Sequence, residues 1–295
     1  MGDAIKSIVL VPIGGLCNRL RATFSAMALA RDCRVPLRVV WLRDKGLNAR
    51  FSDLFEPLPD IAVTVVDSRS WMRYGVARRR NLYLPALWQR YAFDSFLTES
   101  VLTPLCNNLA QEELSGQIRD LLSGNVLIQT GLGFYPADDK QLMQRLVPSR
   151  QVRSLMEDRQ KRITPHTVGL HIRRTDNGEA IKHSPTEAFE AAMRKDLQQD
   201  AQTEFYIATD EPAVAAALAR RFPTCVWQEE KATRATVEGM QEAVAELLTL
   251  IACPRFHGSY WSSFSDMIVA CHQEGQADII DVEQKNHQAF NQKST

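Results

Sequence analysis

The chain contains 295 residues, 45% hydrophobic and 24% charged, the composition of an ordinary globular protein with enough length for two domains. Its 35 basic and 35 acidic residues cancel, which argues against nucleic acid or an anionic membrane as the main partner. No apolar run approaches the roughly 20 residues of a membrane span, and we expect a cytoplasmic protein. The six cysteines show no Cys-x-x-Cys spacing, so we expect reduced thiols.

The N-terminal stretch has the pattern of a strand, a glycine turn and a helix. Residues 5–13 form a β-branched run, and apolar residues recur at helical spacing over residues 18–33. At Gly14 and Gly15 the backbone N–H groups and a helix N-terminus can approach a ligand. Two glycines also make an ordinary tight turn, and the Walker lysine is absent. Asn18 and Arg19 favour the ligand-binding interpretation because we expect these polar groups to face a crevice.

Further strands are predicted in the first half at Leu37–Leu42, Ile61–Val66 and Asn125–Gln129. Between Ser68 and Arg90, arginines alternate with tryptophans and tyrosines, side chains that can stack on and hydrogen-bond a sugar or base. A loop followed by a solvated helix that packs its aromatics inward explains this stretch equally well. We treat the stretch only as a candidate acceptor surface.

The second half alternates between strands and helices after a charged helical stretch near residue 150, where we place the boundary between domains 1–150 and 151–295. The predicted strands are 167–172, 204–208, 225–228 and 279–282, and the predicted helices are 184–197, 212–221, 235–251 and 263–272. Such alternation is typical of an α/β fold with parallel sheets and right-handed crossovers. Two halves of this kind are expected to face each other across a cleft.

The strongest chemical signal is the hexapeptide from His171 to Asp176, which ends a predicted buried strand and contains Arg173 and Arg174. Open α/β sheets bind ligands beyond the carboxyl ends of their strands. A buried guanidinium needs an anionic partner, so at least one arginine should face the crevice and bind an anion such as phosphate. The alternative is that both are surface residues paired with carboxylates.

Glu179 and His183 follow the hexapeptide closely. A carboxylate or imidazole beside two guanidiniums suits transfer of a group away from a diphosphate, because the arginines stabilise the leaving charge while the base takes a proton from the nucleophile. Asp210 and Glu211 end another predicted strand, where they either join the site or cap the next helix.

A serine cluster begins the helix predicted at 263–272, where hydroxyls and free N–H groups can hold a phosphate. Its members are Ser259, Ser262, Ser263 and Ser265. The chain contains no Asp-x-Asp pair for a metal-bound diphosphate. We therefore expect no metal, and the arginine pair would supply the positive charge instead.

In this order along the chain, the motifs resemble those of the α1,6-fucosyltransferase family, which includes the rhizobial chitin-oligosaccharide fucosyltransferases, and of related GDP-fucose-dependent enzymes. The matching stretches are Gly14 to Leu20, Gly169 to Asp176 with Gly178, Glu179 and His183, Ala208 to Glu211, and Trp261 to Ser265. The central stretch is specific, and the likeness is clear over the second half of the chain.

The resemblance implies a GT-B fold of two facing Rossmann-like domains, with GDP-fucose on the C-terminal one and fucose transferred with inversion to a glycan hydroxyl without a metal. It further implies that Arg173 and Arg174 hold the diphosphate and that His171 lies by the nucleotide. Asp176 would orient the loop that carries the two arginines. Glu179 matches the proposed base. Ser262 and Ser263 would contact phosphate or nucleotide.

One departure from the family concerns the base of the nucleotide. The family places an aspartate ahead of the serine motif to read guanine, whereas this chain has Cys253-Pro254-Arg255 there. Either another group reads guanine or the donor is a different nucleotide sugar. A nucleotide-binding or glycan-binding protein without turnover is the alternative from another functional class.

Overall fold

The computed structural model describes residues 4–59, 61–66, 74–75, 79, 82–175, 177–222, 224–227, 233–273 and 275–283, with only the backbone of residues 63–66. These residues form two compact units. The N-terminal unit comprises the described residues up to Val147 together with Arg234–Val237, and the C-terminal unit comprises the other described residues from Pro148 onward.

The N-terminal unit is built on a parallel five-stranded sheet with the order β3-β2-β1-β5-β4. Its elements are β1 (Ile5–Pro12), α1 (Leu16–Cys33), β2 (Leu37–Leu42), α2 (Phe51–Leu54), β3 (Ala62–Val66), α3 (Leu84–Ala92), β4 (Ser95–Thr98), α4 (Glu99–Asn108), α5 (Gln111–Asp120), β5 (Gly124–Thr130) and α6 (Asp139–Arg145).

Helix α1 covers this sheet because its apolar residues repeat at helical spacing. Leu20, Phe24 and Leu29 are buried, and burial of each such side chain contributes roughly 1.5–3 kcal/mol. The helix ends where Arg34 adopts a left-handed conformation and its N–H bonds back to the carbonyl of Ala30.

The C-terminal unit repeats the plan with a parallel sheet of order β10-β9-β6-β7-β8. Its elements are α7 (Arg150–Gln160), β6 (Thr167–Ile172), α8 (Gly178–His183), α9 (Thr186–Gln199), β7 (Glu204–Thr209), α10 (Pro212–Arg221), β8 (Cys225–Trp227), α11 (Val237–Ala252), β9 (Arg255–Ser259), α12 (Ser263–Cys271) and β10 (Ala277–Ile280).

The alternation of side chains along β6 fixes which face of the C-terminal sheet carries the core. Leu170 and Ile172 enter an apolar cluster with Phe189 and Met193 of α9. His171 lies between them in sequence and therefore points to the opposite face, where α12 packs. No helix in the described parts of the chain is long and apolar enough to cross a membrane.

Most predicted elements occur at or near their predicted bounds, including β2, β6 and the helix at 212–221. The structure adds two strands that the sequence did not indicate, β4 and β9. Strand β10 lies two residues earlier than predicted. Between β6 and α9 the chain forms the short helix α8, which the sequence did not indicate.

Candidate active site at the carboxyl edge of the C-terminal sheet

The C-terminal sheet reverses its winding direction between β6 and β9. From β6 the chain adds β7 and β8 on one side, then returns to add β9 and β10 on the other. The crevice beyond the carboxyl ends of such a strand pair is the usual ligand site of open α/β sheets. The arginine pair follows β6 and the serine cluster follows β9, so two predicted motifs meet at this edge.

Asp210, at the end of β7, orders residues 173–175, which carry the two arginines and which we call the arginine loop. Its carboxylate accepts hydrogen bonds from the backbone N–H of Arg174 (2.8 Å) and from the N–H (3.2 Å) and hydroxyl (2.7 Å) of Thr175. It also pairs with Nη1 of Arg173 at 3.0 Å. Burial opposes ionisation of Asp210, but the Thr175 hydroxyl and the Arg173 charge outweigh it and hold the pKa below its usual value. Asp210 therefore orders the arginine loop instead of capping α10.

The two arginines have different surroundings. The Arg173 side chain is 22% exposed and keeps its guanidinium beside Asp210. Arg174 is buried: Nε and Nη2 donate to the Thr186 hydroxyl at 3.3 and 3.1 Å, and Nη1 donates to the Arg173 carbonyl at 2.7 Å. Its guanidinium carbon lies 5.8 Å from the centre of the Phe189 ring, and burial lowers the pKa of the group. Arg173 is thus partly exposed and paired with Asp210, while Arg174 anchors the loop on α9.

His171 links β6 to the serine cluster. Its Nδ1 lies 2.8 Å from the Ser265 hydroxyl oxygen, and its ring stacks on Phe264 with centroids 4.7 Å apart. Burial and the nearby Arg173 charge lower the pKa of His171 to about 4. The imidazole is therefore neutral near pH 7, and its tautomer is set by the hydroxyl it meets.

Ser265 and Ser259 hold the strand ends together. Ser265 accepts from the Ser259 backbone N–H at 3.1 Å, and the Ser259 hydroxyl joins the N–H of Arg173 (2.9 Å) to the carbonyl of His171 (3.1 Å). This approach of α12 to β9 requires Gly258, since a Cβ there would lie 2.7 Å from Cβ of Ser265.

Ser262 and Ser263 begin α12. Ser262 is the N-cap residue, and the described residues show no capping hydrogen bond to its side chain. The preceding Trp261 has a left-handed φ of 53° and an exposed ring, and Asn177 donates to its carbonyl at 2.8 Å. The two hydroxyls and the first N–H groups of α12 stand at the same sheet edge as Arg173.

Glu179 lies in the first turn of α8. Its side chain is 60% exposed, and Oε2 is 3.4 Å from Nε2 of His183. His183 is buried, with Nδ1 3.0 Å from Asp281 and its ring stacked on Tyr260 at 4.4 Å. Glu179 is thus an accessible carboxylate beside an imidazole that is itself held by Asp281.

In the glycine turn of the N-terminal unit, the polar side chains of Asn18 and Arg19 contact the protein itself. Gly14 has a φ of 84°, which favours glycine, and Asn18 packs against it. Arg19 has 0% exposure: it donates to the carbonyls of Gly14 (2.9 Å) and Leu42 and pairs with Asp44 at 2.8 Å. Its guanidinium therefore stabilises the fold of this unit, and it does not reach the solvent.

Gly15 has a neighbour that the sequence did not suggest. A Cβ at Gly15 would lie 3.6 Å from the guanidinium carbon of Arg234, and the Arg234 carbonyl accepts from the Asn48 N–H at 3.0 Å. Arg234 is exposed and lies more than 200 positions from the turn, so no local pattern connects them. Asp176 and, in the stretch between Ser68 and Arg90, residues 68–73, 76–78, 80 and 81 lie outside the described residues.

The arrangement suits binding of a phosphorylated ligand and transfer from it. A fixed guanidinium, hydroxyls and a helix N-terminus at one sheet edge complement a diphosphate, and an accessible carboxylate is available as a base. Within the described ranges, no three His, Cys, Asp or Glu side chains are grouped so that they could hold a metal ion.

The fold defines the class: the chain has the GT-B glycosyltransferase fold. No family model and no curated protein matches the sequence. Among solved structures, NodZ alpha-1,6-fucosyltransferase soaked with GDP-fucose superposes with a TM-score of 0.60 at 15% identity, covering 90% of this chain and 92% of that one. A mutant of Arabidopsis thaliana FUT1 in complex with GDP gives 0.60 at 14%, covering 93% and 72%. POFUT1 in complex with GDP gives 0.54 at 11%, covering 95% and 99%. The fold expected from the sequence resemblance is confirmed.

Proposed function

We propose that the protein is an inverting glycosyltransferase that moves fucose from GDP-fucose to a hydroxyl of a glycan without a metal ion. The observation that carries the proposal is the Arg173 guanidinium, which Asp210 holds beyond the end of β6, where the sheet reverses its winding direction. The fold is shared with fucosyltransferases that were solved with GDP or GDP-fucose. In this proposal the C-terminal domain (151–295) binds the donor and the N-terminal domain (1–150) serves the acceptor.

The donor diphosphate is assigned to Arg173, with the hydroxyls of Ser262 and Ser263 and the first N–H groups of α12 as further donors. Charge on the leaving diphosphate grows as the glycosidic bond breaks, so a fixed guanidinium stabilises the transition state more than the ground state. Arg174 acts as a positioning residue, because its hydrogen bonds to Thr186 and to the Arg173 carbonyl fix the loop.

The base is assigned to Glu179. The acceptor oxygen forms a bond to the anomeric carbon as the bond from that carbon to the phosphate oxygen breaks, and the electron pair leaves with the diphosphate. The proton of the acceptor hydroxyl passes to the Glu179 carboxylate. A single displacement of this kind inverts the anomeric centre.

The experiment is a panel of nucleotide sugars with hydrolysis of each donor as the readout, paired with thermal shifts against GDP, UDP, CMP and ADP. A nucleotide that binds only the folded state raises the melting midpoint, and at equal concentration the tighter-binding nucleotide gives the larger shift. We expect GDP to give the largest shift and GDP-fucose the fastest cleavage, both weakened in Arg173→Ala. Cleavage of another sugar nucleotide would reassign the donor, and nucleotide binding without cleavage of any donor would identify a binding protein.

A further inference from the structure

Exposed apolar side chains concentrate around helix α3 of the N-terminal unit. Twelve large apolar side chains are exposed among the described residues, and five of these fall within ten positions of one another. They are Leu82, Tyr83, Leu84, Leu87 and Tyr91, which we call the α3 face. Tyr91 is 93% exposed and Leu87 64%. Single exposed apolar residues are common, whereas a contiguous set marks an interaction surface.

The geometry of α3 separates an anchored side from an exposed side. Leu84, Leu87 and Tyr91 are spaced by three and four positions, so they share one side of the helix. Trp88 packs inward with its ring 5.0 Å from that of Tyr74. The helix is held to the sheet by one side and presents a convex apolar ridge on the other.

The turn before α3 projects two more apolar side chains. Leu82 and Tyr83 have φ values of 53° and 59°, a left-handed conformation that is unfavourable for residues with a Cβ. Both side chains are exposed and contribute little to the core of the unit. Strain that the fold tolerates without a packing gain is typical of a functional segment.

The sequence that contains the α3 face is locally basic. The sequence from Ser68 to Phe93 contains six arginines and no aspartate, glutamate or lysine, although the chain as a whole has zero net charge. Of these arginines, Arg79 and Arg90 belong to the described residues and are exposed. Although the total charge is balanced, the chain thus contains a locally basic stretch of sequence that includes the α3 face.

We propose that the α3 face docks the protein on an anionic lipid bilayer. Its leucine and tyrosine side chains would enter the boundary between headgroups and acyl chains, and Arg79 and Arg90 would contact lipid phosphates. A convex ridge suits a fluid surface better than it suits a sugar, which is usually bound in a concave site. A second copy of the chain is disfavoured because a symmetric contact would bring two basic segments together. The inference does not depend on the transferase activity.

The test is co-sedimentation of the full chain with vesicles of phosphatidylcholine, with or without phosphatidylglycerol. We expect binding to the anionic vesicles to be at least about tenfold tighter, because each arginine near an anionic surface adds attraction, and to weaken as salt is raised. Equal binding to both vesicle types, or none to either, would overturn the proposal.

Two double variants separate the contributions of apolar contact and charge. Leu87→Asp with Tyr91→Asp removes the ridge, and Arg79→Glu with Arg90→Glu reverses the described charges. We expect each to weaken binding at least about tenfold, whereas Leu121→Asp and Arg220→Glu, exposed positions elsewhere, should leave it unchanged.

Circular dichroism melting checks that the variants fold, and the milder Leu87→Ser with Tyr91→Ser serves if the aspartates lower the midpoint. Undiminished binding of both ridge variants would refute docking through α3. A dimer in lipid-free solution that the ridge substitutions dissociate would assign the face to self-association instead.

Discussion

Alanine substitution should lower the catalytic rate at Arg173, whereas at the adjacent Arg174 it should first lower the stability of the fold. Arg173 is partly exposed at the sheet edge, and in the proposed mechanism its removal takes away the positive charge that neutralises the leaving diphosphate. We expect Arg173→Ala to lower kcat at least about 10²-fold, roughly 2.7 kcal/mol of barrier, with little change in melting midpoint.

Arg174→Ala should act first on stability. Two of its contacts are hydrogen bonds from a charged donor, to the Thr186 hydroxyl and the Arg173 carbonyl, and such bonds contribute about 1.5–3 kcal/mol each when their partners are buried. Removal of the buried charge offsets part of this loss, so we expect the free energy of unfolding to fall by about 2–3 kcal/mol. For a unit of this size that corresponds to a fall of about 5–10 °C in the midpoint.

The assay combines circular dichroism melting with steady-state kinetics on the donor that the nucleotide panel identifies. Arg174→Lys is the matched control, since it keeps the charge but loses the planar fork, and it should recover only part of the stability. If Arg173→Ala melts early while Arg174→Ala melts like the parent and loses only rate, the assignment of the two roles is wrong.

Three further predictions concern the metal, the base and His171. EDTA should leave turnover intact, because a guanidinium takes the place of a cation; restoration of lost activity by magnesium or manganese would contradict this. Glu179→Gln should lower kcat by about 10²–10⁴ with little effect on donor affinity measured by titration, and near-normal turnover would remove Glu179 as the base. The folded protein holds the pKa of His171 at about 4, below the unfolded value of 6.5, so the unfolded chain binds more protons in between. The free energy of unfolding should therefore be highest above pH 6.5 and fall towards pH 4, by roughly 3 kcal/mol at most. Urea titrations should show a smaller fall in His171→Phe, and an equal fall would assign the effect to other groups.

Elements with a strong local signal were predicted from the sequence, and strand β9 shows why others were not. Arg255, His257 and Ser259 give it a polar sequence that does not indicate a buried strand. Asp196 of α9 makes this composition possible, because its carboxylate pairs with Arg255 at 3.0 Å and with His257 at 2.9 Å. That carboxylate is about 60 positions away in the chain, so no local pattern contains it.

Part of the candidate site could not be predicted from the sequence either. The sequence indicated the arginine pair as an anion-binding element, but the contrast between Arg173 and Arg174 depends on the register of β6 against β7, which brings Asp210 beside the loop. Neighbouring residues of one type can have opposite surroundings, and only the packing of α9 decides which is buried. The position of Arg234 beside Gly15 likewise requires the folded chain.

Asp210 has a further consequence for the kinetics of ligand binding. Its carboxylate accepts three hydrogen bonds from the arginine loop, and all of these come from the chain itself, so the loop gives up its conformational freedom during folding. An arriving ligand then meets a preorganised surface and loses little affinity to loop ordering. Association should therefore follow a single phase set by diffusion and charge, without a slow rearrangement, and residence time should depend on contacts made directly with the ligand.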